Sequence, residues 1–426
     1  MFDRLFTETV REELGADFRT TELSTRVRQI SIGAAAVDGL LRWSDLSELL
    51  STRALAPPRL RLHSKGHPVP VERYTEVADS SGETSRHLRP DALYRELRDG
   101  ASLVVDAVDR IHPPIRAAAD DLMRLVRERV QANLYVLWGD SHGFDTHWDD
   151  HDTFILQLAG SKHWQVHGPG ERPFPLRVDA DHTHGPPADA TPVWESVLAP
   201  GDVLHVPRGW WHTVTGTGDV SMHLTFGFAP ATGIDWATWL VEQLHEIELF
   251  RRDLPRFANT AEQRDWHREL VRELVQRVET LGGDEGSIPA YLAHRDARFP
   301  RRQVFSLPWA VDRTPVATQT VVELAVILPP RVEAASATPE AEAGDEAQSG
   351  TVEVTAAGRR YRLPQLTQPV LETLTHSRRL SVAQLVTATG QDVATVTEVV
   401  RSLARHHLVY LQEAAGAPEH CIPSND

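Results

Sequence analysis

The chain of 426 residues has a formal net charge of −16, with 41% hydrophobic and 24% charged residues. That length predicts roughly two to four domains, and the composition is that of a soluble globular protein. The acidic balance argues against broad non-specific nucleic-acid binding, and the single cysteine, Cys421, excludes an internal disulfide framework.

The N-terminal run MFDRLFTETVREEL carries acids and lacks the pattern of a signal peptide. No stretch approaches the ~18 apolar residues of a membrane span. The expected compartment is a reducing cytoplasm. Residues 1–130 alternate helix and strand signals. Trp43, Leu46, Leu49 and Leu50 follow helical spacing. DALYRELRDG gives a second helix stopped by Gly100. ASLVVDAV (101–108) predicts a strand, and residues 114–130 predict a helix opened by proline.

Residues 131–228 hold short β-type runs between Gly, Pro and Asp: NLYVLW, DTFILQL, HWQVHG, DVLHVP and VSMHLTF. Such spacing predicts a sandwich or small barrel, with AGSK (159–162) as a hairpin turn. Residues 233–300 return to helix. Thr260 and Gln263 have capping-box spacing before a stripe of Trp266, Leu270, Val271, Leu274, Val275 and Val278, which predicts core or a subunit contact. RVEAASATPEAEAGDEAQSG (331–350) predicts a solvated acidic linker. Residues 351–415 predict three helices and a flanking strand, the pattern of a winged helix.

The sharpest chemical signal is His147-Trp148-Asp149. In a strand, residues i and i+2 face the same way, so this pair can grip one ion. His212 ends the segment GDVLHVPRGWWH, in which Gly201, Pro207 and Gly209 enforce a tight turn before the next strand. This segment resembles the second motif of the cupin superfamily. Two imidazoles and one carboxylate leave three positions of an octahedral ion open, as in the facial triad of non-haem iron(II) oxygenases. A chelating 2-oxo acid needs two of those positions and O₂ the third. The chain has 21 His, so any single one is more often a surface or core residue. The combination of spacings carries the reading.

His151 shares strand parity with His147 and Asp149, which leaves it as a fourth ligand or as a neighbour beyond the metal's reach. His142, His163, His167, His182, His184 and His205 have no partner pattern and are read as structural or surface residues. Lys162 follows the AGSK turn. It is either a point charge for the distal carboxylate of 2-oxoglutarate or a turn lysine in water.

From about Arg42 to Phe228 the chain resembles the JmjC-type, cupin-fold ribosomal oxygenases. The resemblance rests on NLY (133–135), GFDTHWDDHDTFILQLAGSKHWQV (143–166), LAPGDVLHVPRGWWH (198–212) and SMHLTF (221–226). It implies an α+β chain with a double-stranded β-helix (jelly-roll) barrel, a helical dimerisation region and a C-terminal winged helix. Those parts correspond to residues 1–228, 229–330 and 351–415, with the linker at 331–350 and a tail at 416–426. It implies Fe(II) on His147, Asp149 and His212, and 2-oxoglutarate on Lys162, with Asn133 and Tyr135 lining the co-substrate pocket. Residues 136–142, VLWGDSH, depart from the Thr-Pro and Gln-Gly of many relatives, so the substrate is open to difference.

The expected activity is Fe(II)- and 2-oxoglutarate-dependent hydroxylation, with O₂, of an Arg or His side chain in a ribosomal protein by a homodimer. Three other readings stay open. One is an oxygenase acting on a small peptide or amino acid. Another is a metal- or oxoacid-sensing regulator working through the winged helix. The third is a cupin whose metal serves other chemistry, such as isomerisation, without 2-oxoglutarate. Residues 351–415 hold seven Arg against five acidic residues, only mildly basic, so DNA binding is not expected.

Overall fold

The computed structural model describes residues 2–414 apart from 54, 81–82, 141–143, 171, 177–190, 312–313 and 335–349. His142, His182, His184, Cys421, the tail 416–426 and most of the linker 331–350 lie outside the described residues. The chain divides into two compact units, Met1–Ala231 and Thr232–Asp426.

In the first unit the helices are α1 (Phe2–Leu14), α2 (Trp43–Thr52), α3 (Pro90–Arg98) and α4 (Pro113–Val126). The spacing-based expectation for α2 holds, since Leu46 and Leu49 are buried. Proline opens α4, where its missing N–H costs nothing. The helix ends at Val126, short of the expected 130, because Arg127 adopts a left-handed conformation.

The strands are β1 (Arg28–Ser31), β2 (Leu60–Ser64), β3 (His67–Pro68), β4 (Thr75–Ser80), β5 (Glu83–Leu88), β6 (Ser102–Val105) and β7 (Gln131–Leu137). After them come β8 (Asp152–Ala159), β9 (Lys162–Pro169), β10 (Trp194–Leu198), β11 (Asp202–Val206), β12 (Trp210–Gly216) and β13 (Ser221–Phe228). Eight strands form one sheet in the order β1-β11-β8-β13-β7-β6-β2-β3, and three form another in the order β10-β9-β12. Ile155 and Leu204 of the larger sheet pack with Trp164, Val166 and Leu198 of the smaller, closing a cupin-type barrel. On β9 the period of two is plain: Lys162, Trp164, Val166 and Gly168 are buried and the residues between them are not.

One expectation fails informatively. AGSK is not a hairpin turn, because β8 pairs with β11 and β13 while β9 pairs with β10 and β12. The segment carries the chain from one sheet to the other. Gly160 makes the crossing possible: its φ is +59°, and a Cβ there would sit 2.1 Å from the Val220 carbonyl oxygen. Lys162 therefore begins an inward-facing strand position instead of a solvated turn.

The second unit begins with helices α5 (Gly233–Glu242), α6 (Glu248–Arg251), α7 (Thr260–Arg277) and α8 (Ser287–Ala297). The cap of α7 lies one residue earlier than the spacing suggested. Asn259 accepts from Ala261 and Glu262 backbone N–H groups, and Glu262 accepts in return from the Asn259 N–H. On its stripe, Val271, Val275 and Val278 stay exposed. The unit continues with β14 (Val321–Leu324), β15 (Arg331–Ala334), β16 (Thr351–Ala356), β17 (Arg359–Pro364) and α9 (Thr367–Ser377). It ends with β18 (Arg379–Ser381), α10 (Val382–Thr389), α11 (Val393–Arg405) and β19 (Val409–Gln412). Two three-stranded sheets form, β18-β14-β19 and β15-β16-β17. The boundaries expected at 330 and 351 thus fall inside paired structure. β14 is the central strand between β18 and β19, and Val322 and Leu324 share a core with Leu371, Leu385 and Val400.

Candidate metal centre

His147, Asp149 and His212 come together, their ligand atoms all within 4.8 Å of one another. The arrangement is made by backbone. His147 and His212 form an isolated antiparallel bridge, with His212 N donating to the His147 carbonyl (2.8 Å) and His147 N to the His212 carbonyl (3.2 Å). Gly209 N donates to the Asp149 carbonyl at 2.9 Å. Gly209 has φ +78°, and Pro175 packs where a Cβ would be, so the Pro207–Gly209 turn has no room for a side chain there. A bulge between Trp211 and His212, where β12 pairs with β9, re-aims His212 toward the cavity.

This differs from the expected geometry. His147 and Asp149 lie in the connection between β7 and β8, not on a regular strand, so parity does not govern them. The consequence reaches His151. It is not among the three converging groups. Its Nδ1 meets Asp150 Oδ1 at 2.9 Å, and its ring lies against the backbone of Gly227. Burial disfavours its charge, but the Asp150 hydrogen bond and nearby Asp149 and Asp152 outweigh that and raise its pKa.

The donor set suits a divalent transition metal. Nδ1 of His147 donates to the Asp145 carbonyl (2.8 Å) and Nδ1 of His212 to the Trp210 carbonyl (3.0 Å). A carbonyl only accepts, so both protons sit on Nδ1 and leave each Nε2 lone pair free. Burial, followed by the neighbouring His147, pushes His212 down to about 4, keeping it neutral. Its Nε2 lies 3.8 Å from Asp149 Oδ2. The carboxylate supplies the one negative charge, and three protein ligands leave positions for other ligands.

The triad opens onto a cavity also lined by Tyr135, Thr153, Lys162, Trp164 and His223. Lys162 is only 3% exposed, and burial lowers its amine to about 7. Its Nζ lies 2.9 Å from Nδ1 of His223. His223 stacks on Tyr135 at 5.0 Å and 11°, and meets the edge of Trp164 at 5.7 Å and 71°. Burial, then the adjacent Lys162, holds His223 well below its ordinary pKa. Burial and the charge of Asp149 push the Tyr135 phenol up, so it stays protonated.

Comparison with known proteins fits this geometry. Residues 110–235 match the JmjC domain family. The chain is 30% identical over 163 residues to the bifunctional lysine-specific demethylase and histidyl-hydroxylase NO66 of Brugia malayi, covering 38% of this chain and 23% of that protein. The NO66 protein of Aedes aegypti is 39% identical over 158 residues, 37% of this chain and 25% of its own length. The chain thus spans about a quarter of these curated relatives. The ribosomal oxygenase YcfD of Escherichia coli superimposes with a TM-score of 0.51 at 17% identity, over 93% of this chain and 97% of that one. Its structure in complex with cobalt and 2-oxoglutarate gives the same score and coverage.

Of the residues picked out in sequence, the barrel brings the triad, Lys162 and Tyr135 to one cavity. Asn133 stands behind it. Its Oδ1 accepts from Ala107 N (2.9 Å) and Gln131 Nε2 (3.1 Å), and its side chain hydrogen-bonds the Tyr135 phenol. His205, read as structural or surface, is wholly buried, with Nδ1 at 3.0 Å from the Arg26 carbonyl and Nε2 at 3.2 Å from Asp152. His223 and Trp164 were not singled out. A signal for His223 existed: Ser221, His223 and Thr225 alternate with Met222, Leu224 and Phe226, a polar row on one face of a barrel strand.

Proposed function

We propose that this chain is an Fe(II)- and 2-oxoglutarate-dependent oxygenase that hydroxylates an Arg or His side chain of a ribosomal protein. One observation carries the reading: a two-His, one-carboxylate triad shares a cavity with a buried lysine. A 2-oxo acid with a second carboxylate matches both ends of that cavity. Iron(II) on the triad, with 2-oxoglutarate and O₂, supplies the oxidation that places one oxygen atom on an unactivated C–H bond.

The chain's own residues do the rest. His147, Asp149 and His212 hold the ion on one face. Lys162 binds the far carboxylate of the co-substrate, and Tyr135, braced by Asn133, walls its side. Trp164, 3% exposed, and Ile155, 1% exposed, exclude water from the interior. The acidic chain suits a basic ribosomal partner. The YcfD and NO66 descriptions support the choice of substrate class. We place the activity in the cytoplasm; among the described residues no helix is long and apolar enough to cross a membrane.

For the second unit we retain two readings. Residues 229–330 supply a dimer contact, supported by the uncovered Val271 and Val275 on α7 and Val278 just after it. Residues 351–415 form a winged-helix-like module, supported by α9, α10 and α11 beside β18 and β19. The decisive experiment incubates the iron-loaded protein with 2-oxoglutarate and host ribosomal proteins. Succinate release and a gain of one oxygen on a single peptide are expected. Succinate release without any modified ribosomal peptide transfers the activity to a small peptide or amino acid; no succinate under any iron-loaded condition refutes the proposal.

A further inference from the structure

The deep end of the cavity holds a lysine with no anion. Nζ of Lys162 faces Nδ1 of His223, and among the described residues it forms no ion pair. Burial is what lowers its proton affinity. His223 cannot turn away, because Tyr135 covers one face and Trp164 abuts it edge-on. The titratable groups that share the cavity with the pair are Tyr135 of β7, His147 and Asp149 of the β7–β8 connection, and His212 of β12, while Ser102, Thr153 and Thr225 add hydroxyls. In register beside Lys162 stand Leu198 and Gly216, neither ionisable. Trp164, two positions along β9, has a buried indole N–H with no acceptor among the described residues.

These facts describe a site built for a carboxylate whose cation is only partly formed near neutral pH before one arrives. An ammonium buried without a partner is costly, which favours loss of its proton. We infer that Lys162 and His223 act as one unit that, at and above neutral pH, takes up a proton from solvent as the far carboxylate of the co-substrate binds, so that the cation is completed by the arrival of the anion. The inference rests on the co-substrate reading above and adds the proton to it. Lys162 holds the proton, His223 accepts one N–H of the resulting ammonium, and the indole N–H of Trp164 is free for the carboxylate.

The sign follows from the position of the lysine. Its amine, lowered to about 7, is mostly neutral at pH 8.5 and mostly charged at pH 6. Binding a carboxylate raises it, so affinity falls about tenfold per pH unit above 7 and is flat below.

The test is calorimetry on the full chain loaded with Mn(II), titrated with 2-oxoglutarate in buffers of different ionisation enthalpy. Uptake of about one proton per site is expected at pH 8.5 and close to none at pH 6. Lys162→Arg, whose guanidinium is always charged, is expected to bind with no uptake and no affinity slope. His223→Leu removes the acceptor facing Nζ and is expected to move the affinity profile to lower pH. Binding by the wild-type chain without proton uptake overturns the inference and leaves the proposed function standing. Uptake undiminished in Lys162→Arg also overturns it. An unchanged profile in His223→Leu excludes His223 from the unit and so overturns its shared form. Failure of the Mn(II)-loaded chain to bind 2-oxoglutarate at any pH brings down both readings.

Discussion

The two ends of the barrel cavity are built by different physics. At the metal end the backbone does the positioning: His147 and His212 share a two-bond bridge, Gly209 ties down Asp149, and two carbonyls set the imidazole tautomers. At the lysine end no backbone device acts on the charged group. Burial and a single base, His223, set what Lys162 does. The first end is positioned by backbone contacts. The second is tuned by its surroundings and responds to pH.

The largest effect that sharpens this contrast is at the metal end. Asp149→Ala removes the only negative ligand, and metal content after dialysis is expected to fall to background together with succinate formation. At the other end Lys162→Met is expected to leave metal content unchanged. It should raise the KM for 2-oxoglutarate roughly 10- to 100-fold, the worth of a charge-assisted hydrogen bond. Equal loss of metal in both variants would erase the distinction between the ends.

The lysine end also makes a stability prediction. The folded pKa of Lys162 lies below its unfolded value, so the unfolded chain binds more protons between pH 7 and about 10. In that window the wild-type chain, free of co-substrate, gains stability relative to Lys162→Met as pH rises, by about 1.4 kcal/mol per pH unit at most. Denaturant midpoints of the two proteins at pH 7 and pH 9 measure it. A constant difference would place a charged lysine in the folded barrel.

Two smaller effects probe the supports. A Cβ on Gly66 (φ +80°) would fall 2.1 Å from Asp145 Oδ2, and the Asp145 carbonyl holds His147. Gly66→Ala is expected to weaken metal binding roughly tenfold, the scale of an outer-shell change, read by competition with a chelator. Asn133→Ala loses one hydrogen bond to Tyr135. A rise of a few-fold in KM for 2-oxoglutarate with kcat nearly unchanged is expected, about 1 kcal/mol or less. A fall in kcat alone would place Tyr135 in the chemistry instead of the pocket wall.

How much of this was legible in sequence differs between the same two ends. The triad could be read because its residues lie in short segments whose Gly and Pro announce the turns that aim them. Strand parity is not what aims them: His147 and Asp149 act from a connection with one bridge. Parity alone leaves His151 as a candidate ligand, and its contacts with Asp150 and Gly227 set it apart. Lys162 stood between water and barrel, because AGSK has the composition of a hairpin turn. Only strand pairing shows that it crosses between sheets. The capping box of α7 was misplaced by one residue, since Asn259 and Glu262 carry the same spacing as Thr260 and Gln263.

Sequence by itself determined which residues can ligate a metal, the barrel-like run of short strands, and the helical start of the second unit. Those properties follow from local spacing and side-chain type, which act over a few residues. Tertiary structure decided what those residues become. It put Lys162 against His223, sixty-one positions away, and buried both. It placed β14 in a sheet with β18 and β19, across the expected boundary. Burial and long-range pairing arise from the whole packed chain, so no local pattern encodes them.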